Sequence, residues 1–217
     1  MQAYTLFDED VSYMDELLFD SNGMLRPVKA SDLAALKATH LMLWGNKNGV
    51  YTYPTFELID WIKEKIGGRG AIEICSGSGV MGRAIGIPMT DSYVQTEPAM
   101  MAYYLAMNQK PIFPANDVQK FEANEAVDYF KPDVVMGCYV TQKYLPGDEG
   151  PPAIGSSWYG VDELAMLPKI QTYINVGNHS THKDKRIRKF PHQVYKFPWL
   201  FTRSGSPEQN EIVVWEN

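Results

Sequence analysis

Ala71-Ile72-Glu73-Ile74-Cys75-Ser76-Gly77-Ser78-Gly79-Val80-Met81-Gly82 is the stretch on which the reading of this chain turns. A short apolar run carrying one acid breaks into small residues and glycines. That order describes a buried strand, a tight turn and the first turn of a helix. Glycines let backbone approach a ligand closely, and a helix start offers N–H groups that have no partner inside the helix. The same order also suits a strand–turn–helix junction that holds nothing, so the flanking sequence has to choose.

Downstream, the alternation repeats. Residues 85–91 read as a second strand ending on Asp91, and Glu97-Pro98 opens a helix to about Gln109, with the proline in its first turn. Residues 111–117 read as a third strand, again closing on an acid, Asp117. A polar helix over 121–130 leads to 133–140, almost wholly apolar, as a central parallel strand is. The chain then changes character. Residues 144–160 hold Pro146, Gly147, Gly150, Pro151, Pro152, Gly155 and Gly160, a long irregular segment of the kind that is usually functional or mobile. A short helix near 161–167, a fifth strand at 172–177 and a basic segment at 182–192 follow. Two strand-like runs, 193–203 and 211–215, close the pattern, and Ser204-Gly205-Ser206-Pro207 between them predicts an antiparallel hairpin.

Upstream, Ser31 is placed to cap a helix on which Leu33, Leu36, His40, Leu41 and Trp44 recur at helical spacing. His40 on that stripe reads as a packing residue. A second helix carries Phe56, Ile59, Ile62 and Ile66 on one face and stops at Gly67-Gly68. Five βα units before a hairpin predict an α/β fold, a mostly parallel sheet with helices on both faces and right-handed crossovers. Ligands in such sheets sit beyond the C-terminal ends of the strands.

The bulk numbers agree with one such domain. The 217 residues are 45% hydrophobic and 12% aromatic, enough for a sizeable core and too much for disorder. A net charge of −6 gives no global attraction to nucleic acid or anionic membrane. Two cysteines, Cys75 and Cys138, lie in apolar strand-like runs without metal-ligand spacing. Buried free thiols are expected, with no disulfide framework and no metal. The acidic start lacks the pattern of a signal peptide and no apolar run approaches a membrane span, so the expected setting is cytoplasmic.

From about residue 49 onward the chain resembles the class I S-adenosylmethionine-dependent methyltransferases. Glu73 with Gly77 and Gly79 is similar to their first motif, with Cys75 standing where the first glycine usually does. The resemblance implies a three-layer Rossmann-like sandwich, a seven-stranded sheet whose last strand is antiparallel, and residues 1–48 as a helical extension or lid. It also implies S-adenosyl-L-methionine as cofactor. Ser76, Gly77 and Gly79 would approach its amino-acid end, and Glu73 would add negative potential near its cationic groups. Asp91 would accept the ribose hydroxyls and Asp117 the adenine amino group, with Val118 as a backbone donor. Tyr53, in a segment similar to one preceding the first motif of adenine DNA methyltransferases, and Cys138, at the fourth strand's end, complete the cofactor set.

The acceptor side is more open. Adenine-modifying enzymes carry an Asp/Asn-Pro-Pro-aromatic motif after the fourth strand, and Gly137-Cys138-Tyr139-Val140-Thr141 is not that motif. Thr141, Lys143, Trp158 and Asn178 are the candidates for holding a small-molecule or nucleotide-type acceptor, and Tyr139, directly after the fourth strand, is a candidate catalytic residue. His179 is the candidate general base, the side-chain type that titrates near neutrality; as a turn residue it would have no such role. The basic segment 182–192 would hold substrate phosphates or nucleic acid, unless it is a solvated helix face. Two rival readings stay open. Gly77-Ser78-Gly79-Val80-Met81-Gly82 satisfies the G-x-G-x-x-G of nicotinamide dinucleotide enzymes. A catalytically silent cofactor binder with a protein partner fits as well.

Overall fold

The computed structural model describes residues 9–145, 147–148 and 155–217. The acidic start up to Asp8, and Pro146, Gly150, Pro151 and Pro152 of the glycine–proline loop, lie outside them. In chain order the helices and strands are α1 (Asp15–Leu18), α2 (Ala30–Ala34), α3 (Ala38–Asn48), α4 (Phe56–Ile66), β1 (Ala71–Glu73), α5 (Val80–Ile85), β2 (Thr90–Asp91) and α6 (Pro98–Ala106). There follow β3 (Gln119–Lys120), α7 (Ala123–Phe130), β4 (Val134–Cys138), β5 (Gln142–Lys143), β6 (Ser156–Ser157), α8 (Glu163–Met166), β7 (Thr172–Asn178), α9 (His179–His182), β8 (Gln193–Tyr195) and β9 (Asn210–Glu216).

The architecture is mixed α/β around a five-stranded sheet of order β1-β4-β7-β9-β8. β1, β4 and β7 pair in parallel, and β9 runs antiparallel between β7 and β8. Val134, Val135 and Met136 of β4 and Tyr173, Ile174 and Val176 of β7 are fully buried, as strands covered on both faces must be. One apolar cluster, with Ile72, Val135, Tyr173 and Trp215, fills one face of the sheet. A second, with Leu58, Ile62, Met136, Ile174 and Val214, fills the other. β2 and β3 form a separate parallel pair. They touch β1 through one bridge, Glu73 to Met89, and through the Glu73 N–H and Ser76 N–H donating to the carbonyls of Pro88 and Thr90.

Several expectations need correction. The strand expected over 85–91 shrinks to Thr90–Asp91, because α5 runs through Ile85 and ends on a left-handed Gly86. Residues 111–117 form no strand; Pro111 and Pro114 cannot donate to a ladder, and β3 begins only at Gln119. The helix begun by Ser31 is two helices, split at 35–37, and Ser31 caps neither; Glu57 accepts the Ala30 N–H instead. Phe56 is exposed, and Leu58 takes its place on the buried face of α4. Of the run 193–203 only Gln193–Tyr195 is strand.

The N-terminal helices do not stand apart from the sheet. Leu18, Leu33, Leu41 and Trp44 share one cluster with Val50 and Tyr53, and Phe201 packs on it. Backbone bonds extend the join: Val28 N–H to the Pro54 carbonyl, Tyr53 N–H to Phe201 and Arg203 N–H to Tyr51. No helix of the described residues is long and apolar enough to cross a membrane.

Candidate functional site

Side chains that do chemistry in parallel α/β sheets collect at the C-terminal strand ends, where the backbone has to turn. Non-glycine residues rarely take positive φ, because Cβ crowds the carbonyl oxygen. Five of the described residues do so, Cys75, Tyr93, Asn108, Lys131 and Tyr139. Lys131 caps α7, and Asn108 follows the end of α6. The other three lie just beyond β1, β2 and β4, with φ of 51°, 65° and 56°. Strain at three neighbouring strand ends, one of them, Tyr93, also preceding a 3-10 turn, makes that edge the candidate site.

On the β1–β2 side the polar groups serve one another. Asp91 accepts the Gly77 N–H at 2.9 Å through Oδ2 and the Tyr93 N–H at 2.8 Å through Oδ1. Burial holds its carboxyl above the usual range, and those two N–H groups oppose the shift. Ser76 Oγ is buried without a partner, while its carbonyl accepts the Gly79 N–H. Glu73 is turned into the fold. It is 2% exposed, and its Oε2 takes the Gly82 N–H at 2.8 Å. Burial pushes its pKa up to about 8, so at neutral pH it is largely uncharged and cannot supply the expected negative potential. Gly82 is required there: a Cβ would come within 2.7 Å of Glu73 Oε2 and 2.5 Å of Met89 Cγ.

The third expected acid, Asp117, does not close a strand. Asp117 precedes β3 rather than closing it, and Arg83 grips it with bonds of 2.6 and 2.8 Å, which holds its carboxyl below the usual range. Val118 is 4% exposed and its N–H is spent on the Ala115 carbonyl, so it is no free donor. Glu122 is the acid beyond the end of β3; it is exposed and stands at the N-cap of α7 without a side-chain hydrogen bond to the helix. Its signal was available in the sequence, an acid two residues after Lys120 and one before a helix-like run. Tyr53 is also misplaced as a cofactor contact. It is fully buried beside Trp44, and its hydroxyl donates to the Leu41 carbonyl at 2.5 Å. Cys75 is exposed rather than buried, and Cys138 is partly buried; both are free.

Two cavities flank this edge. One, of about 640 Å³, lies between Ser78, Val80 and Arg83 of α5's start, the Lys110–Asp117 segment and Met24, Gly49 and Val50. The other, of about 350 Å³, lies between α6 and the ends of β4 and β7, with Tyr139, Thr141 and Asn178 in its lining. Neither lining includes Cys75, Asp91 or Glu122. The larger cavity is therefore not the one that the strained strand ends mark.

Around the smaller cavity the structure brings together only some of the expected acceptor residues. Tyr139 donates to Thr202 Oγ1 at 3.0 Å and meets the His182 ring edge-on at 5.2 Å. Asn178 is 1% exposed and its Oδ1 accepts from the Ser180 N–H and hydroxyl. His179 turns away and approaches Glu211 Oε2 at 3.4 Å. Trp158 packs on Tyr144 at 4.3 Å between centroids, outside the cavity lining. Lys143 is exposed on β5.

The basic segment is divided: Lys183 and Lys189 are exposed, and three of its other cations are paired within the fold. Lys185 is buried against Glu163 at 2.5 Å and donates to the Val140 carbonyl at 2.9 Å. Arg186 pairs with Asp148 and Arg188 with Glu211. His182 is buried, bonded through Nδ1 to the Asn178 carbonyl, and desolvation lowers its pKa to about 3. A charge run predicts solvation only when its partners are absent, and here they lie elsewhere in the sequence. Tyr51, Tyr104 and Arg203 were not foreseen as lining residues; a lone arginine after a strand-like run carries no local signal.

No family model matches the chain, and no curated protein matches it. Among solved structures, the crystal structure of Thermoplasma acidophilum 1320 aligns with 86% of this chain and 95% of its own. The identity is 13% and the TM-score 0.33, too slight a likeness to bear on fold or function.

Proposed function

We propose that the chain binds S-adenosyl-L-methionine at the ends of β1, β2 and β3 and transfers its methyl group to an acceptor held at the ends of β4 and β7. The observation that carries this is the left-handed backbone at Cys75, Tyr93 and Tyr139. Cys75 occupies the place of the family's first glycine, and it has the backbone that glycine adopts readily. Strand order lends support. If the Glu73–Met89 bridge is counted as continuing the sheet, the order is β3-β2-β1-β4-β7-β9-β8 with β9 antiparallel, the seven-stranded arrangement of class I methyltransferases.

The residues present fit the cofactor. Asp91 retains lone pairs beyond its two N–H partners for a ribose diol, Glu122 is exposed where an adenine amino group would lie, and Ser76 Oγ lacks a partner. When bound, the cofactor supplies a methyl on an already activated carbon. The chain's part is to align the acceptor and exclude water. No base is assigned: His179 faces Glu211 and His182 is held neutral.

Titration calorimetry with S-adenosylhomocysteine tests the reading. Charge-assisted bonds are worth about 1.5–3 kcal/mol, so Asp91→Asn should weaken binding about tenfold or more. Undiminished binding by that variant would remove Asp91 from the site, and no binding by the parent would remove the cofactor. One observation favours the nicotinamide reading instead. Gly82 is needed for close helix–strand packing, the part played by the third glycine of G-x-G-x-x-G. Parallel titrations with NAD(H) and NADP(H) separate the two.

A further inference from the structure

The smaller cavity has a lining at odds with the chain's overall charge. Four tyrosines, Tyr51, Tyr103, Tyr104 and Tyr139, contribute to it, and among the described residues its single charged lining residue is Arg203. The whole chain carries −6, yet among the described residues no carboxylate lines this space. The Arg203 guanidinium lies 3.5 Å from the Tyr51 ring centroid and makes no salt bridge among the described residues. Tyr51 and Tyr139 lie 5.6 Å apart at a tilt of 51°, and Tyr103 and Tyr104 meet edge-on across the cavity, on α6. Asn178, almost fully buried at the end of β7, adds a carboxamide.

We infer that this cavity binds a small planar aromatic molecule carrying an anionic group. The tyrosine rings offer faces and edges to an aromatic ring. The unpaired guanidinium offers a planar fork to a phosphate or carboxylate, which an ammonium group would not match. A cationic ligand is disfavoured, because Arg203 already covers the face of Tyr51. At about 350 Å³ the space suits a small molecule and not a polymer segment. The identification of that molecule as the methyl acceptor rests on the proposed function; its binding does not.

A nucleoside monophosphate and an aromatic carboxylic acid share this chemistry, and titration calorimetry distinguishes them. The full chain is titrated with UMP, CMP, GMP, uridine, 4-hydroxybenzoate and its neutral amide, with and without S-adenosylhomocysteine. AMP is left out because an adenosine site would compete for it. Binding by the nucleotides or by the carboxylate supports the inference and names the source. The neutral counterpart should bind about tenfold or more weakly, and Arg203→Met should cost the anion the same factor. Tyr103→Ser, on an exposed residue, should weaken both members of a pair without changing the melting temperature. The inference is overturned if no anionic aromatic binds, if uridine matches UMP, or if Arg203→Met matches the parent. Anion binding without S-adenosylhomocysteine binding overturns the methyltransferase reading alone; the reverse overturns this inference alone.

Discussion

The two halves of the strand-end edge are built on opposite principles. On the β1–β2 half, the carboxylates are engaged within the fold, Asp91 with Gly77 and Tyr93, Glu73 with Gly82 and Asp117 with Arg83, and Ser76 Oγ is left over. On the β4–β7 half, tyrosine rings and an unpaired guanidinium face open space, and the paired groups stand one layer behind. Lys185 and Glu163 are those groups. They hold the Val140 carbonyl next to Tyr139 and take no part in the lining. The first half spends part of its acceptors on positioning backbone, whereas the second keeps most of its polar and aromatic surface open.

The largest effect should come from the layer behind the cavity. Lys185→Met leaves a buried Glu163 with one oxygen already lacking a partner, and breaking such a pair costs about 3–5 kcal/mol. Joining it with Glu163→Leu should recover most of that loss, as read by urea unfolding. Full stability in the single variant would show that this half needs no support.

A middle-sized effect belongs to pH. Glu73 has a folded pKa above its unfolded 4.5, so its contribution is fully present below that value and is lost as pH rises to about 8. His182 has a folded pKa below its unfolded 6.5, so its contribution is present above 6.5 and is lost as pH falls toward about 3. Stability should therefore peak between the two slopes, near mildly acidic pH. Glu73→Gln keeps an acceptor for Gly82 and should remove about 1.4 kcal/mol per pH unit from the alkaline slope. An unchanged slope would place another group behind it.

The smallest effect tests the strained turn. Cys75→Gly relieves a left-handed β-carbon and should stabilise the fold by about 1 kcal/mol, in thermal unfolding, with S-adenosylhomocysteine affinity unchanged. Destabilisation would mean that the thiol's own contacts outweigh the strain.

Long apolar runs were legible: β4, β7 and β9 appear where their residues predict them, because burial on both faces forces the composition. β2 and β3 were not, being two residues each, and Pro111–Pro114 imitated a strand through apolarity alone. The glycine turn was located correctly, but the side chain of Glu73 was not, since burial decides whether a carboxylate faces a ligand or a helix. The basic segment misled for a related reason. Asp148, Glu163 and Glu211, which take up its charges, are far away in sequence and adjacent only in the fold.

The pairing of Tyr51, Thr52 and Tyr53 with Phe201, Thr202 and Arg203 has a consequence for how the molecule comes into being. The glycine turn and its strand are neighbours in sequence and can form while later residues are still being synthesised. The tyrosine-lined cavity cannot, because one wall waits for Arg203 to emerge. Contacts of such long separation form slowly and late. The β1–β2 half is thus expected early in folding and the β4–β7 cavity late, so an incompletely made chain would have the first without the second.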